Sequence, residues 1–261
     1  MKVTIIQALL HWEDRNKNLD HLSELIDSVK EQTDLIILPE MFATGFTMQP
    51  EKNAEPVDGE TLAWLKKKAA EKKCTITGSL AVEENGNFFN RLFWVTKDGE
   101  VQAYNKRHLF RMAKEDQHYT AGTEKIITQM GHFKICPLVC YDLRFPVWSR
   151  NRFSAETGWE YDVLLYVANW PEVRSYQWKQ LLIARAIENQ CFVIGVNRVG
   201  KDGNGFDHSG DSMLINPKGE ILSEIAPYKE AVASFELDLA VLDEFRKIFP
   251  VGLDADNFKL E

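Results

Sequence analysis

In Ile135-Cys136-Pro137-Leu138-Val139-Cys140-Tyr141-Asp142-Leu143-Arg144-Phe145-Pro146, a short apolar run stops at a cysteine, and an acid, an arginine and a proline follow at once. Apolar runs of this length, bounded by turn signals, read as buried strands. A thiol on the turn after such a strand lies at the rim of a sheet, where open α/β sheets place their ligands. A free cysteine is by default a small core hydrophobe. Cys140 therefore reads as a nucleophile only in the company of other reactive groups.

Upstream, Lys2 to Ala8 is an apolar strand, and Asp14 to Val29 carries Leu19, Leu22, Leu25, Ile26 and Val29 at helical spacing. Asp34 to Glu40 is a second apolar run, too short and β-branched for a helix. Strand, helix, strand predicts parallel pairing. It also puts Glu40 at the carboxyl end of a strand, although an acid there is equally a helix cap. Thr61 to Lys73 reads as a helix. Cys74 to Val82 and Arg91 to Val95 form a hairpin around Glu84-Asn85-Gly86-Asn87. Lys97-Asp98-Gly99-Glu100 turns into a strand from Val101 to Tyr104, and Asn105-Lys106-Arg107-His108-Leu109-Phe110 follows. Arg111 to Gly122, with Glu115, Asp116, His118 and Tyr119, reads as a long loop or short helix beside a site.

Downstream, Trp159 to Ala168 predicts a strand that ends in Asn169-Trp170-Pro171, and Ser175 to Gln190 a helix apolar over much of its girth. Phe192 to Val199 predicts a buried strand, Gly200 to Gly210 a Gly-rich loop, and Ser212 to Asn216 with Ile221 to Ile225 a hairpin. A strand from Ala231 to Leu237 and a helix from Leu239 to Phe249 close the pattern.

The 261 residues, with 44% hydrophobic and 27% charged, suit a soluble globular chain. Without a linker or repeat, residues 1–261 are expected to form a single domain. A formal charge of −8 argues against a nucleic-acid footprint, which needs a basic excess. No stretch reaches the roughly 18 apolar residues of a membrane span, and Val3-Thr4-Ile5-Ile6 starts a strand rather than a signal peptide. Cys74, Cys136, Cys140 and Cys191 form no metal-ligand pattern and read as reduced thiols of a cytoplasmic protein.

Three strands thus end in a glutamate (Glu40), a lysine (Lys106) and a cysteine (Cys140). A thiol is only weakly ionised at neutral pH, and a carboxylate can take its proton. An ammonium, with the backbone N–H after the nucleophile, can hold an oxyanion. These are the parts of a thiol acyl-transfer site.

With these residues in view, the chain resembles the carbon–nitrogen hydrolases of the nitrilase superfamily, marked by a Glu-Lys-Cys triad. Leu38-Pro39-Glu40-Met41-Phe42, Tyr104-Asn105-Lys106-Arg107-His108-Leu109-Phe110 and Val139-Cys140-Tyr141-Asp142-Leu143-Arg144-Phe145-Pro146 look like its three motifs. The helix Ala184-Arg185-Ala186-Ile187-Glu188-Asn189-Gln190, the strand end Asn197-Arg198-Val199-Gly200 and Gly210-Asp211-Ser212 are also similar. The resemblance implies an α/β fold, a four-layer αββα sandwich of two mixed β-sheets, and self-association as a homodimer or higher homo-oligomer. It implies no metal or organic cofactor. Glu115 matches a second family glutamate, with Asp116 adjacent. Cys136 departs from the family, where many relatives carry glycine.

Pro146-Val147-Trp148-Ser149-Arg150 and Ala168-Asn169-Trp170-Pro171 look most like the bacterial omega-amidases. That branch hydrolyses the terminal amide of 2-oxoglutaramate or 2-oxosuccinamate. The resemblance implies catalysis by Glu40, Lys106, Cys140 and Glu115, with Tyr141 at the oxyanion and Asn169 and Trp170 at the substrate. A substrate carboxylate needs a cation, for which Arg174, Arg111 and His108 are the candidates. A nitrilase, an N-carbamoyl hydrolase or a general aliphatic amidase would use the same triad. A catalytically silent binding homologue and a redox sensor on Cys140 are the readings from other classes.

Overall fold

The computed structural model describes residues 1–223, 225–256, 258 and 259. Its first sheet is built from β1 (Lys2–Gln7), β2 (Leu35–Ile37), β3 (Thr75–Glu84), β4 (Asn87–Val95), β5 (Val101–Asn105) and the late strand Ala231–Glu236, with the two-residue strand Glu55–Pro56 paired parallel to the end of β3. The late strand pairs antiparallel with β1. β1, β2 and β3 run parallel, and β4 and β5 complete an antiparallel meander. The second sheet contains β6 (Thr128–Met130), β7 (Phe133–Val139), β8 (Val163–Ala168), β9 (Phe192–Asn197) and the strand Met213–Ile215. Here β7, β8 and β9 are parallel and the two edges antiparallel.

Side-chain alternation explains the layers. On β1, Val3 and Ile5 face the core shared by the two sheets, whereas Ile6 joins a second cluster on the outer face. Leu35 and Ile37 go inward, and Ile36 and Leu38 outward, by the same period of two. The inner cluster joins Leu92 and Trp94 of the first sheet to Val139, Leu165 and Val167 of the second. On the outer face of the first sheet lie α1 (Arg15–Ser28), through Leu22 and Ile26, and α2 (Glu60–Lys72), through Leu65 and Ala69. On the second, α3 (Ser175–Asn189) lays Trp178 and Leu182 against Gly195 of β9, so closely that a Cβ there would strike both. The result is the four-layer αββα sandwich of two mixed sheets that the family resemblance implied. Among the described residues, no helix is long and apolar enough to cross a membrane.

Local departures have local causes. Ile221 to Ile225 is not a strand: only Ile221 bridges Ile215, and the Ser223 hydroxyl takes the Leu214 N–H (2.8 Å) that a ladder would use. Glu224, within that expectation, lies outside the described residues. Residues 200–210 are not all loop. β10 (Val199–Lys201) and β11 (Asp207–Ser209) pair across a turn in which Asp202 Oδ1 accepts from the N–H groups of Asn204 and Phe206. Gly158–Trp159 pairs with Phe153–Ser154 instead of extending β8.

Candidate active site

The parallel strands deliver their carboxyl ends to one place. Glu40 lies three residues past β2, Lys106 directly follows β5, Cys140 directly follows β7 and Asn169 directly follows β8. Glu40, Lys106 and Glu115 are fully buried, and Cys140 is 8% exposed.

The lysine is the hub. Lys106 Nζ donates to Glu40 Oε1 (2.9 Å) and to both oxygens of Glu115 (3.0 and 2.9 Å). Glu115 is carried on the short helix Glu115–His118, and the Phe110 N–H donates to its Oε2 at 2.6 Å. Asn90, inside β4, bridges the two acids: its Nδ2 donates to Glu40 Oε1 (2.7 Å) and Glu115 Oε1 (3.2 Å). Glu40 Oε2 accepts the Asn169 N–H at 2.8 Å, and the Asn169 side-chain amide donates to the Glu40 carbonyl.

Burial by itself would lower the Lys106 pKa, but Glu115 and Glu40 outweigh it and carry the ammonium well above the usual lysine range. The Glu115 carboxyl is pushed up, by burial first and by Glu40 as well, with Lys106 opposing. Burial also raises Cys140 well above a free thiol, and the Glu40 carboxylate adds to that through charge and hydrogen bonding. The thiol therefore rests protonated against Glu40, with a permanent cation nearby.

Cys140 adopts φ +44°, a left-handed conformation that costs a non-glycine residue about 1 kcal/mol or more. Asp142 holds the turn in place. Its Oδ2 accepts from Tyr104 Oη (2.7 Å) and the Val139 N–H (3.1 Å), and its Oδ1 from the His108 N–H (3.0 Å). The lysine strand end and the cysteine turn are thus tied to one buried carboxylate.

Cys140, Tyr141, Asn169, Trp170 and Arg174 line a cavity of about 310 Å³. Two expected residues lie elsewhere. His108 stacks on Phe145 (ring centroids 3.7 Å apart), pairs with Asp142 and lines a separate small cavity. It buttresses the cysteine turn rather than facing this pocket. Arg111 is 83% exposed and paired with Asp116, which also leaves Glu115 as the buried acid at Lys106. Arg144, Phe46 and the β10–β11 hairpin residues Asp202 and His208 line the cavity without having been singled out from the sequence. Asn90 was also missed, although an asparagine within a strand is a signal, since strands disfavour it. Among the described residues, no group of three or more His, Cys, Asp or Glu side chains is placed to hold a metal ion.

Residues 2–247 match the carbon-nitrogen hydrolase family. The Escherichia coli K12 protein named omega-amidase YafV is 45% identical over 260 residues, covering 100% of this chain and 98% of that one. The 2-oxoglutaramate amidase of Bacillus subtilis 168 is 34% identical over 256 residues, 96% of each chain. XC1258 of Xanthomonas campestris, a CN-hydrolase superfamily protein with an arsenic adduct in its active site, superposes with a TM-score of 0.97 at 44% identity over 100% of this chain and 99% of that one. Saccharomyces cerevisiae Nit3, of the nitrilase superfamily, shares the fold at a TM-score of 0.85 and 24% identity, covering 96% of this chain and 94% of its own. Matched from residue 2 to 247 and aligned end to end with such relatives, the chain belongs to the carbon–nitrogen hydrolase family.

Proposed function

We propose that the protein is an omega-amidase, which hydrolyses the terminal amide of a small keto-acid amide such as 2-oxoglutaramate to the acid and ammonia. The observation that carries the chemistry is the hydrogen-bonded, fully buried set of Glu40, Lys106 and Glu115 beside Cys140, which itself lines the cavity. The similarity to the E. coli and B. subtilis amidases supports the choice of substrate.

The reaction follows from the states of these groups. Cys140 Sγ attacks the amide carbon as its proton passes to Glu40, so that charge never builds up on an isolated buried thiolate. The carbonyl electrons move to oxygen. There the Lys106 ammonium and the Tyr141 N–H stabilise the oxyanion. Collapse breaks the C–N bond, and Glu40 returns the proton to departing ammonia. A water then gives a proton to Glu40 as its hydroxide attacks the thioester; the C–S bond breaks, and Glu40 returns that proton to the departing sulfur, which restores both the thiol and the base. Glu115 fixes Lys106 and, through Lys106 and Asn90, the position of Glu40. Asn169 and Trp170 bound the substrate on the strand-end side. The enzyme is expected to act in the cytoplasm as a homo-oligomer, which size-exclusion chromatography tests.

The test of the function is ammonia release from a panel of ω-amides, nitriles and N-carbamoyl compounds. Turnover of 2-oxoglutaramate above the other classes is the expected result. A protein that turned over only nitriles or N-carbamoyl compounds would be a different member of the family.

A further inference from the structure

The cavity wall carries two arginines as well as the nucleophile. Arg144 comes from the turn after Cys140, and Arg174 from the short 3₁₀ turn before α3. Each guanidinium lies on an aromatic ring. Arg144 Cζ is 5.1 Å from the Trp170 ring centroid, and Arg174 Cζ is 5.2 Å from that of Phe110. Among the described residues, neither side chain has an acid within 4 Å or any hydrogen-bond partner. Both are half-buried. The acid on the same wall, Asp202, turns its Oδ1 to the N–H groups of its own loop.

This arrangement is unusual for a structural arginine. A half-buried cation without an anion keeps part of the cost of leaving water, and two of them side by side add mutual repulsion. Arg174 feels both effects: burial and the neighbouring Arg144 make its charge less favourable, while the Cys140 side favours it. The aromatic faces recover some of that cost and hold each fork in place with its N–H edges free. Trp170 links the two, since its face carries Arg144 and its indole N–H donates to the Arg174 carbonyl at 2.7 Å. Phe110, under Arg174, also supplies the N–H that holds Glu115. The cation pair is therefore built on the same residues as the catalytic centre.

We propose that Arg144 and Arg174 together form the subsite for the substrate's α-keto carboxylate, holding it at the far end of the cavity from the amide at Cys140. This rests on the omega-amidase reading and deepens it by naming what selects the acid. An α-keto carboxylate is flat and presents three oxygens, which suits two planar donor forks better than one ammonium. An amide without the carboxylate leaves both cations unpaired, and an amino acid such as glutamine brings its own cation towards them.

The experiment compares kcat/KM for 2-oxoglutaramate and butyramide in the wild type, Arg144→Gln, Arg174→Gln and Arg174→Lys. It also follows inhibition of butyramide turnover by 2-oxoglutarate. The wild type should favour the keto-acid amide. Each Gln variant should lower that preference roughly 10- to 100-fold, the scale of a lost charged hydrogen bond, and weaken inhibition by 2-oxoglutarate in step. The loss should fall mainly in KM, because the carboxylate is remote from the reacting bond. Arg174→Lys keeps charge and length without the fork, so it should recover only part of the preference; it also carries the test if a Gln variant fails to fold. Unchanged preference and inhibition in the variants of a wild type that favours the keto-acid amide overturn the subsite and leave the function standing. A wild type with no preference overturns the omega-amidase reading itself.

Discussion

At the scale of the residue, the chemistry depends on keeping a thiol neutral, a lysine charged and two carboxylates apart in one buried space. Replacing Cys140 with Ala should abolish turnover, by at least about 10³-fold, because the group that forms the thioester is gone. The protein should still fold, since alanine keeps the Cβ that the turn already accommodates at φ +44° and loses only the thiol. Ammonia release at high enzyme concentration checks this; near-normal activity sinks the mechanism. Glu115 makes a finer test. Its folded pKa is raised, so the native state holds the proton more tightly than the unfolded chain. Its contribution therefore favours folding at low pH and turns against it as pH rises above the ordinary carboxyl value. Glu115→Gln removes that opposition, and Lys106 keeps Glu40 as its partner at 2.9 Å. The melting temperature at neutral pH should hold or rise while activity falls on the order of 10²-fold. A collapse of about 3 kcal/mol or more, the scale for an uncompensated buried charge, would instead mean that Glu40 alone cannot neutralise Lys106.

At the scale of the element, the site depends on how strand ends are held. The N–H of Gly122 donates to the Lys106 carbonyl at 2.9 Å, and a Cβ at Gly122 would fall on the Asn105 carbonyl. Backbone cannot step aside cheaply, so Gly122→Ala should displace the end of β5 and lower both thermal stability and kcat. An unchanged kcat in a folded variant would show that Lys106 is positioned by its side-chain contacts alone. The β10–β11 hairpin predicts a pH effect. Burial, and then Arg198, lowers His208 to about 4, with Asp202 opposing. The native state thus binds fewer protons than the unfolded chain, so stability present above about pH 6.5 is lost as pH falls towards 4. His208→Gln should flatten the melting curve across that window. Equal slopes in the two proteins would assign the acid loss to other groups. These elements also mark what the sequence could convey. Glu40, Lys106 and Cys140 were legible because each directly follows or closely trails an apolar strand. Asn90 and Arg144 were not, since their roles depend on partners 25 to 50 residues away, or on an aromatic ring from another strand end. His108 was misplaced because nothing local shows that Asp142 and Phe145 take both its edge and its face.

At the scale of the whole molecule, the strand periodicities marked the elements and the parallel pairing, while the four-layer arrangement came from the family resemblance. Period-two alternation along β1 and β2 already divides inner from outer faces, and α3 is apolar on several sides because it covers a sheet. The short pieces were illegible: three-residue strands such as β6 sit below the length at which a period can be read. The same layering predicts how the protein comes apart. One apolar cluster runs from Val3 and Trp94 in the first sheet to Leu165 and Val167 in the second, and the reactive residues stand at its rim. Neither sheet can lose its inner face without exposing that of the other, so residues 1–261 should unfold in a single transition, with activity lost in step. Leu165→Ala, fully buried on the inner face of β8, tests this. It should cost about 2–5 kcal/mol, which for a chain of this size lowers the melting temperature by roughly 2–4 °C per kcal/mol. Calorimetry should show one peak shifted as a whole. Two peaks, of which only one moves, would mean that the sheets are separate folding units and that the site spans a boundary between them.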